Sequence, residues 1–147
     1  GVAVILPEST DPRRWGREDV VAIRRALATL ASKRAIDPTR IAVAGRGAGG
    51  AFAWVVGEAL GPAVRGIALV DSALPRQATI EPAEPGRSRW VLFANSGVAD
   101  GPPPARLEAD RRRLEEAGIT AGMATEGPAA GPLASWLAAW VESLGVL

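Results

Sequence analysis

The chain is 147 residues long and 48% hydrophobic, which is enough for one domain of ordinary size with a substantial core. Its 17 basic and 16 acidic residues are interspersed and leave a net charge of +1, which argues against a nucleic-acid partner. Cysteine and histidine are absent, and this excludes disulfides, thiol nucleophiles, imidazole bases and nearly every zinc, copper or haem site. We therefore expect no metal and no cofactor.

The first residues are the place to look for a signal peptide or a membrane span. No basic segment precedes an apolar one there, and no run reaches the ~20 apolar residues needed to cross a bilayer. The sequence therefore predicts neither a signal nor a membrane span. Because Gly1 leads directly into an apolar run, we expect residues 1–147 to form a single domain cut from a longer protein.

The first part of the chain alternates between strand and helix patterns. A continuous apolar run that ends at a proline is typical of a strand buried on both faces, and apolar residues at helical spacing follow it. A second apolar run then enters a glycine-rich turn at 45–50. The predicted elements are a strand at Val2–Leu6, a helix at Asp19–Arg34, a strand at Ile41–Ala44 and a helix to about Leu60.

The second part repeats this alternation. A Pro-rich and Gly-rich loop separates two further strands, and a proline and a glycine bound the helix that follows them. An apolar stripe at helical spacing closes the chain. The predicted elements are strands at Ile67–Val70 and Trp90–Ala94, a helix from Pro104 to Ala117, a weak strand at 121–125 and a last helix ended by Gly145.

Strands that alternate with helices predict βαβ units. We therefore expect an α/β fold, a three-layer sandwich in which helices cover both faces of a mostly parallel sheet of about five strands. Ligands and catalytic groups collect at the carboxyl ends of the strands in such a sheet. The glycine turn at 45–50 is consequently the first place to look for a function, and three interpretations of it compete.

The first interpretation is a nucleophile elbow, G-x-S-x-G. Gly45 and Gly49 match this pattern, but Gly47 stands where the serine would be. The Asp-Pro-Thr-Arg-Ile segment at 37–41 and the Gly-Val-Ala-Asp turn at 97–100 complete a resemblance to esterases and peptidases of the α/β-hydrolase superfamily, over most of the chain. The resemblance implies a partial α/β-hydrolase fold.

Two departures from the family pattern remove the expected chemistry. The resemblance makes Gly47 and Asp100 relic positions of nucleophile and triad acid, although Asp100 also reads as a simple turn former. The family histidine would fall at 126–131, where the chain has Glu-Gly-Pro-Ala-Ala-Gly. The strand that supplies half of the oxyanion hole is also missing. Without nucleophile and base, acyl transfer has no route, and Ser9, Ser72 and Ser96 have no base available either.

The second interpretation is a dinucleotide- or anion-binding Rossmann-like domain. Gly45, Gly47 and Gly50 also satisfy G-x-G-x-x-G after a strand, and Asp71 ends the next strand where it would accept from a ribose hydroxyl. Against this interpretation, a complete βα unit precedes the turn. The third interpretation is structural: the glycines only let helix and strand pack closely, and this is compatible with the first.

Three smaller features of the sequence each allow a functional and a structural interpretation. Arg46 with the amides of Gly47 and Ala48 is a candidate anion site, against the commoner surface ion pair. The run Arg111–Arg113 lies among acids and reads as a solvated helix surface. The tryptophans at 54, 136 and 140 are expected in the core, and those at 15 and 90 beside an opening.

The sequence therefore predicts a catalytically silent hydrolase-like module that acts as an accessory or binding domain. Pro-Glu-Ser at 7–9, Trp15, the 37–40 segment, the serine-free turn and Val-Asp-Ser-Ala-Leu-Pro at 70–75 are similar to domains that trail bacterial trypsin-like proteases carrying PDZ modules. That resemblance implies an exported, periplasmic location. It also implies as partners the other domains of a parent chain, or another protein.

Overall fold

The computed structural model of this chain describes residues 3–83, 88–95, 101–124 and 139–144. Helices alternate with strands along them, except between the second and third strands, where the described residues contain no helix. The elements are α1 (Arg17–Lys33), β1 (Ile41–Arg46), α2 (Ala48–Leu60), a 3₁₀ turn (Gly61–Ala63), β2 (Val64–Val70), β3 (Trp90–Ala94), α3 (Pro104–Glu116) and β4 (Thr120–Ala124). Residues 139–143 are again helical. None of the helices in the described ranges is both long and apolar enough to cross a bilayer.

The four strands form one parallel sheet in the order β1-β2-β3-β4. Along one row, Gly45 pairs with Leu69, Leu69 with Phe93, and Phe93 with Met123. β2 is central, and every residue in it except Arg65 is buried. The predicted α/β class with a parallel sheet is confirmed. The carboxyl ends of parallel strands lie at one edge of the sheet, because each connection returns the chain to the edge where the next strand starts.

Different helices cover the two faces of the sheet. A Cβ added at Gly57 in α2 would lie 2.4 Å from Ile67 Cδ1, whereas one added at Gly66 would lie 2.4 Å from Leu144 Cδ1. Successive residues of a strand point to opposite faces, so α2 packs on one face of β2 and the helical residues 139–143 lie over the other. The predicted three layers are confirmed.

The core lies between these layers. Trp54 in α2 is 3% exposed, as predicted, and Trp140 is half-buried beside the bare backbone of Gly66. Trp136 lies outside the described residues. Ile67 and Phe93 are the largest buried side chains of β2 and β3, so the core is centred on the two inner strands of the sheet.

The predicted buried strand at Val2–Leu6 is wrong for the described part of that run. Residues 3–6 lie outside the sheet, and Val4 and Leu6 are 72% and 87% exposed. Within the described ranges the sheet ends at β1, so it has four strands rather than about five. An apolar run becomes a buried strand only where a sheet edge pairs with it and layers cover its faces, and periodicity reports neither condition.

A buried carboxylate fixes the loop that leads into α1. Asp19 is 2% exposed and accepts hydrogen bonds from the backbone amides of Thr10 (2.8 Å) and Gly16 (2.7 Å) and from the hydroxyls of Ser9 and Thr10. These donors, the Thr10 amide foremost, favour the charged form and lower the pKa of Asp19 below its ordinary value. The loop is therefore tied to the first turn of the helix.

Replacing this carboxylate is expected to change the acid sensitivity of the fold. Because the folded-state pKa of Asp19 is lowered, its stabilisation is complete above the unfolded-state pKa and is lost as the pH falls through the folded value. Asp19→Asn should reduce the free energy of unfolding at neutral pH and flatten its decline in acid. Urea unfolding at a series of pH values checks this against the exposed control Glu18→Gln, and parallel curves for all three proteins would contradict it.

Candidate functional site

The glycine turn forms a sharp strand-to-helix corner. Gly47, between β1 and α2, has φ 54° and ψ −122°. Its N–H donates to the carbonyl of Val70 (2.9 Å), and its own carbonyl accepts from Gly50 N (3.0 Å) and Ala51 N (3.3 Å). A Cβ added at Gly47 would meet nothing within 4 Å. Any side chain at this position would stand clear of the backbone, as a nucleophile elbow requires.

The neighbouring glycines are needed for close approach. A Cβ at Gly45 would lie 2.0 Å from the carbonyl oxygen of Gly49, and one at Gly50 would lie 2.5 Å from Ser72 Cβ. Both contacts are far inside van der Waals distance, so strand, turn and helix touch directly at these two positions. This supports the packing interpretation of Gly45 and Gly50, which is compatible with an elbow at Gly47.

An aromatic pair lies beside the turn. The rings of Trp15 and Phe52 are stacked with centroids 4.8 Å apart and an interplanar angle of 16°. A Cβ at Gly49 would lie 3.9 Å from Trp15 Nε1, so this indole is next to the start of α2. Trp90 begins β3 and thus lies at the opposite edge of the sheet, so the two tryptophans do not line one opening.

An ion pair joins the ends of the two neighbouring strands at the turn. Arg46 Nε lies 2.7 Å from Asp71 Oδ2, and the Asp71 side chain is only 4% exposed. Asp71 also has φ 49°, a left-handed conformation that is uncommon outside glycine, while its N–H donates to the carbonyl of Ala94 (2.8 Å). The parallel register pairs Arg46 with Val70, and Asp71 is the residue that follows Val70. The pairing of β1 with β2 therefore brings the two charges together.

This ion pair bears on both ligand-binding interpretations. Arg46 keeps a 54% exposed side chain, but its Nε is committed to Asp71, so it cannot hold an anion with Gly47 and Ala48 through that atom. In the dinucleotide interpretation, a ribose hydroxyl would have to compete with Arg46 for the buried Asp71 carboxylate. The geometry therefore favours neither use.

Two substitutions at Asp71 are expected to separate the ion pair from the backbone strain. Asp71→Ala removes the carboxylate and keeps a side chain at φ 49°, so a loss of about 1–2 kcal/mol in unfolding free energy is expected. Asp71→Gly removes the same carboxylate but relieves the backbone strain, which should recover about 1 kcal/mol. Urea unfolding measures both variants, and a glycine variant less stable than the alanine variant would contradict the strain at this residue.

A second buried carboxylate holds the segment that follows β2. Asp110 in α3 is 1% exposed. It accepts from the backbone N–H of Leu74 (3.0 Å), from Arg106 Nε (3.1 Å) and from an Nη of Arg113 (3.2 Å). Arg106 and Arg113 also donate to the carbonyls of Leu74 and Ala78. Asp110 is not among the predicted site residues, because it lies in a helix rich in charges.

The predicted solvated surface at Arg111–Arg113 is confirmed only for Arg112, because the Arg111 side chain is 29% exposed and pairs with Glu108 and Glu115. Arg112 is 68% exposed, and both Arg111 and Arg112 pair with Glu108. These arginines, Arg111 foremost, lower the pKa of Glu108 to about 2. Arg113 departs from the prediction because it reaches Asp110 and the loop after β2.

A cavity of about 380 Å³ lies at the amino-terminal edge of the sheet. Its lining includes Thr39, Val64 and Ile119, at or next to the starts of three strands, together with the ion-paired Glu58 and Arg89. Ligand sites in open parallel sheets lie at the other edge, outside the carboxyl ends of the strands. The glycine turn therefore stays the candidate site. Asp100 and the segment 126–131 lie outside the described residues.

No protein-family model matches the chain, and a search of curated proteins finds no significant match. Solved structures that are similar to it include a carboxylesterase and a SOBER1 variant. The Bacillus cereus carboxylesterase is 16% identical with a TM-score of 0.61, over 93% of this chain and 67% of its own. A variant of Arabidopsis thaliana SOBER1 is 14% identical with a TM-score of 0.59, over 86% of this chain and 63% of its own. These likenesses confirm the predicted α/β-hydrolase-like fold, and the chain spans about two thirds of their length.

Proposed function

We propose that this chain is a hydrolase-like accessory or binding module that does not itself catalyse acyl transfer. The observation that carries the proposal is Gly47. It adopts φ 54° and ψ −122° between a strand and a helix, with open space where a side chain would be. The backbone of a nucleophile elbow is thus present without an oxygen or sulfur to attack a carbonyl.

In the described part of the chain, no other group replaces the missing nucleophile and base. The chain contains no histidine, and the single lysine, Lys33, is exposed in the last turn of α1. Ser72 is buried against Gly50, and its hydroxyl donates to the carbonyl of Ala73 (3.3 Å). A serine becomes nucleophilic only beside a positioned base, so this hydroxyl is a packing group in our proposal.

The proposed module belongs to a larger exported protein. The resemblance at 7–9, 37–40 and 70–75 supports a bacterial trypsin-like protease with PDZ modules as the parent, in which the active site lies elsewhere. In that setting the module would contact the parent's other domains or another protein. A pull-down of the remaining parent domains by this chain tests the assignment, and retention no better than on a resin with an unrelated α/β domain would contradict it.

Restoring the nucleophile alone is expected to leave the protein inactive. Gly47→Ser places a hydroxyl in open space but provides no base to deprotonate it. We expect no hydrolysis of p-nitrophenyl acetate and no labelling by a fluorophosphonate from the natural protein, from this variant or from the control Ala48→Ser. A cooperative thermal transition must show that each protein is folded, and turnover by folded natural protein or by Gly47→Ser above that of Ala48→Ser would contradict the proposal.

The same samples test the dinucleotide interpretation. A ligand at a hundred times its dissociation constant stabilises a protein by about 2.7 kcal/mol, which raises the melting temperature of a domain of this size by roughly 5 °C or more. Our proposal expects no shift with NAD or NADP. A shift that Asp71→Ala abolishes would replace it with a nucleotide-binding function.

A further inference from the structure

One side of β1 has no partner strand. Within the described ranges the sheet order is β1-β2-β3-β4, and the backbone of residues 42–44 hydrogen-bonds only towards β2. Natural proteins protect such an edge with a proline, a lysine or a pronounced bulge. β1 contains neither proline nor lysine, and its register shift, between Ile41 and Ala42, lies at its first residue. The rest of this edge is therefore able to pair with another strand.

The position of α1 indicates what belongs beyond this edge. Trp15, just before α1, stacks on Phe52, and Arg24 donates to the carbonyl of Ala59, so α1 lies beside α2 on the same face of the sheet. Crossovers between parallel strands are right-handed, and two helices on one face therefore carry the chain across the sheet in the same direction. Since α2 leads from β1 to β2, a strand that leads into α1 belongs beyond the free edge of β1.

The apolar side of α1 is incompletely covered, as expected where such a strand is lacking. Ile23, Leu27 and Leu30 are only half-buried, and Asp19 is the one buried residue of this helix. On the same face, α2 has five buried residues. The difference arises because α2 covers β1 and β2, whereas α1 makes its main contacts with α2. The apolar stripe of α1 therefore has no strand to pack on.

The chain itself carries an unpaired segment of the required kind. Residues 3–6 are apolar and precede α1, yet they lie outside the sheet, and Val4 and Leu6 are 72% and 87% exposed. Hydrogen bonds from Thr10 to Asp19 hold the end of this run close to the first turn of α1, and in that position the run does not pair with its own β1. One copy of the protein therefore presents both an open strand edge and an uncovered apolar run.

We propose that the chain associates with a second copy of itself by strand exchange, in which residues 3–6 of each copy pair with the outer edge of β1 in the other. The edge supplies main-chain hydrogen bonds, and the run brings apolar side chains to the half-covered stripe of the other copy's α1. A two-fold pair of this kind closes on itself, whereas a head-to-tail arrangement would grow into a filament. The proposal concerns the sheet edge, so it holds whether or not the chain is catalytically silent.

The exposed run favours a second copy over an unrelated strand as the occupant. Val4 and Leu6 are the most exposed large apolar side chains in the described part of the chain. An unrelated strand would cover the edge of β1 and leave both of them in water, whereas exchange covers the edge and the run together. Burial of apolar surface is the main favourable contribution to association. Two copies thus bury more of it than one copy with an unrelated strand.

Analytical ultracentrifugation of the complete chain is expected to show a monomer–dimer equilibrium at micromolar concentration. Leu6→Lys and Ala44→Lys should each raise the Kd of the dimer about tenfold or more, because they place a charge on the run and on an exposed position of the edge, respectively. Val55→Lys is the matched control. It places a lysine at an exposed valine of α2 and should leave the Kd unchanged. Circular dichroism must show that each variant is folded.

The absence of cysteine permits a direct test of which segments meet. Val4→Cys protein carrying an affinity tag is mixed with untagged Ala44→Cys protein and treated with a short bismaleimide. We expect covalent heterodimers, because the run of one copy lies against the edge of the other. Untagged Val55→Cys protein replaces the Ala44→Cys protein in the control mixture and should give few heterodimers.

Several outcomes would overturn the proposal. They include a natural protein that sediments as a monomer up to high micromolar concentration, a folded Leu6→Lys protein with an unchanged Kd, and equal cross-linking to Val55→Cys. A cross-link within single dilute chains that carry both Val4→Cys and Ala44→Cys, without dimers, would show that the run pairs with its own edge. Large assemblies that Ala44→Lys prevents would replace the closed pair with a filament.

Discussion

Gly45→Ala is expected to destabilise the protein by about 3 kcal/mol or more, or to prevent its accumulation as a folded species. The added Cβ would lie 2.0 Å from the carbonyl oxygen of Gly49 and 2.8 Å from the nitrogen of Gly50. Both atoms are backbone, so no side-chain rotation relieves the overlap, and β1 must move away from α2. The change in unfolding free energy is measured by urea titration followed by far-ultraviolet circular dichroism.

Gly47→Ala is the matched control for that substitution. It adds the same methyl group two residues along, where nothing lies within 4 Å, and its cost comes only from the positive φ of 54°. A loss of about 1–2 kcal/mol is expected. If the two variants lost equal stability, steric contact at Gly45 would not be the reason that the turn needs glycine there.

Asp110→Ala is the second substitution with a large expected effect, about 2–3 kcal/mol of unfolding free energy. It leaves the backbone N–H of Leu74 without its acceptor and removes the shared partner of Arg106 and Arg113. The two arginines are 39% and 42% exposed, so water can solvate them. Leu74 is 3% exposed, so water cannot replace the acceptor that its N–H loses. This lost hydrogen bond accounts for most of the expected destabilisation.

Asp110→Asn tests which part of this network matters. The amide keeps an oxygen for Leu74 N and loses the negative charge, so a loss of about 1 kcal/mol is expected, smaller than for alanine. Limited proteolysis gives a second measurement, because the segment 74–80 should be cut faster in Asp110→Ala than in Asp110→Asn. Equal cutting of the two variants, or an alanine variant as stable as the natural protein, would contradict the proposed attachment of the segment to α3.

Much of the architecture follows from local patterns in the chain. Apolar runs between glycines and prolines indicate buried parallel strands, which is why the strands predicted at Ile41–Ala44 and Trp90–Ala94 coincide with β1 and β3, although β1 extends to Arg46. The run at 3–6 has the same pattern and lies outside the sheet, because pairing depends on what lies beside a strand in space. No periodicity within five residues contains that information.

The candidate site was predictable in outline and not in detail. The glycine spacing locates the turn, but the left-handed φ of Asp71 and its pairing with Arg46 depend on the register between β1 and β2. The burial of Asp110, by contrast, is indicated by the sequence pattern of α3. The residue falls on the helical stripe of Leu107 and Leu114, which are 3% and 0% exposed, and an acid on a buried stripe must find partners.

The strand order has a consequence for how the chain assembles. Because spatial order follows chain order from β1 to β4, each strand joins the edge left by its predecessor, and none is inserted between two strands that are already paired. Paired residues of neighbouring strands are then separated by a single strand-to-strand connection, and no other order of these four parallel strands would give a lower contact order. A chain emerging from the ribosome can add one strand at a time, with its newest strand always serving as the template for the next.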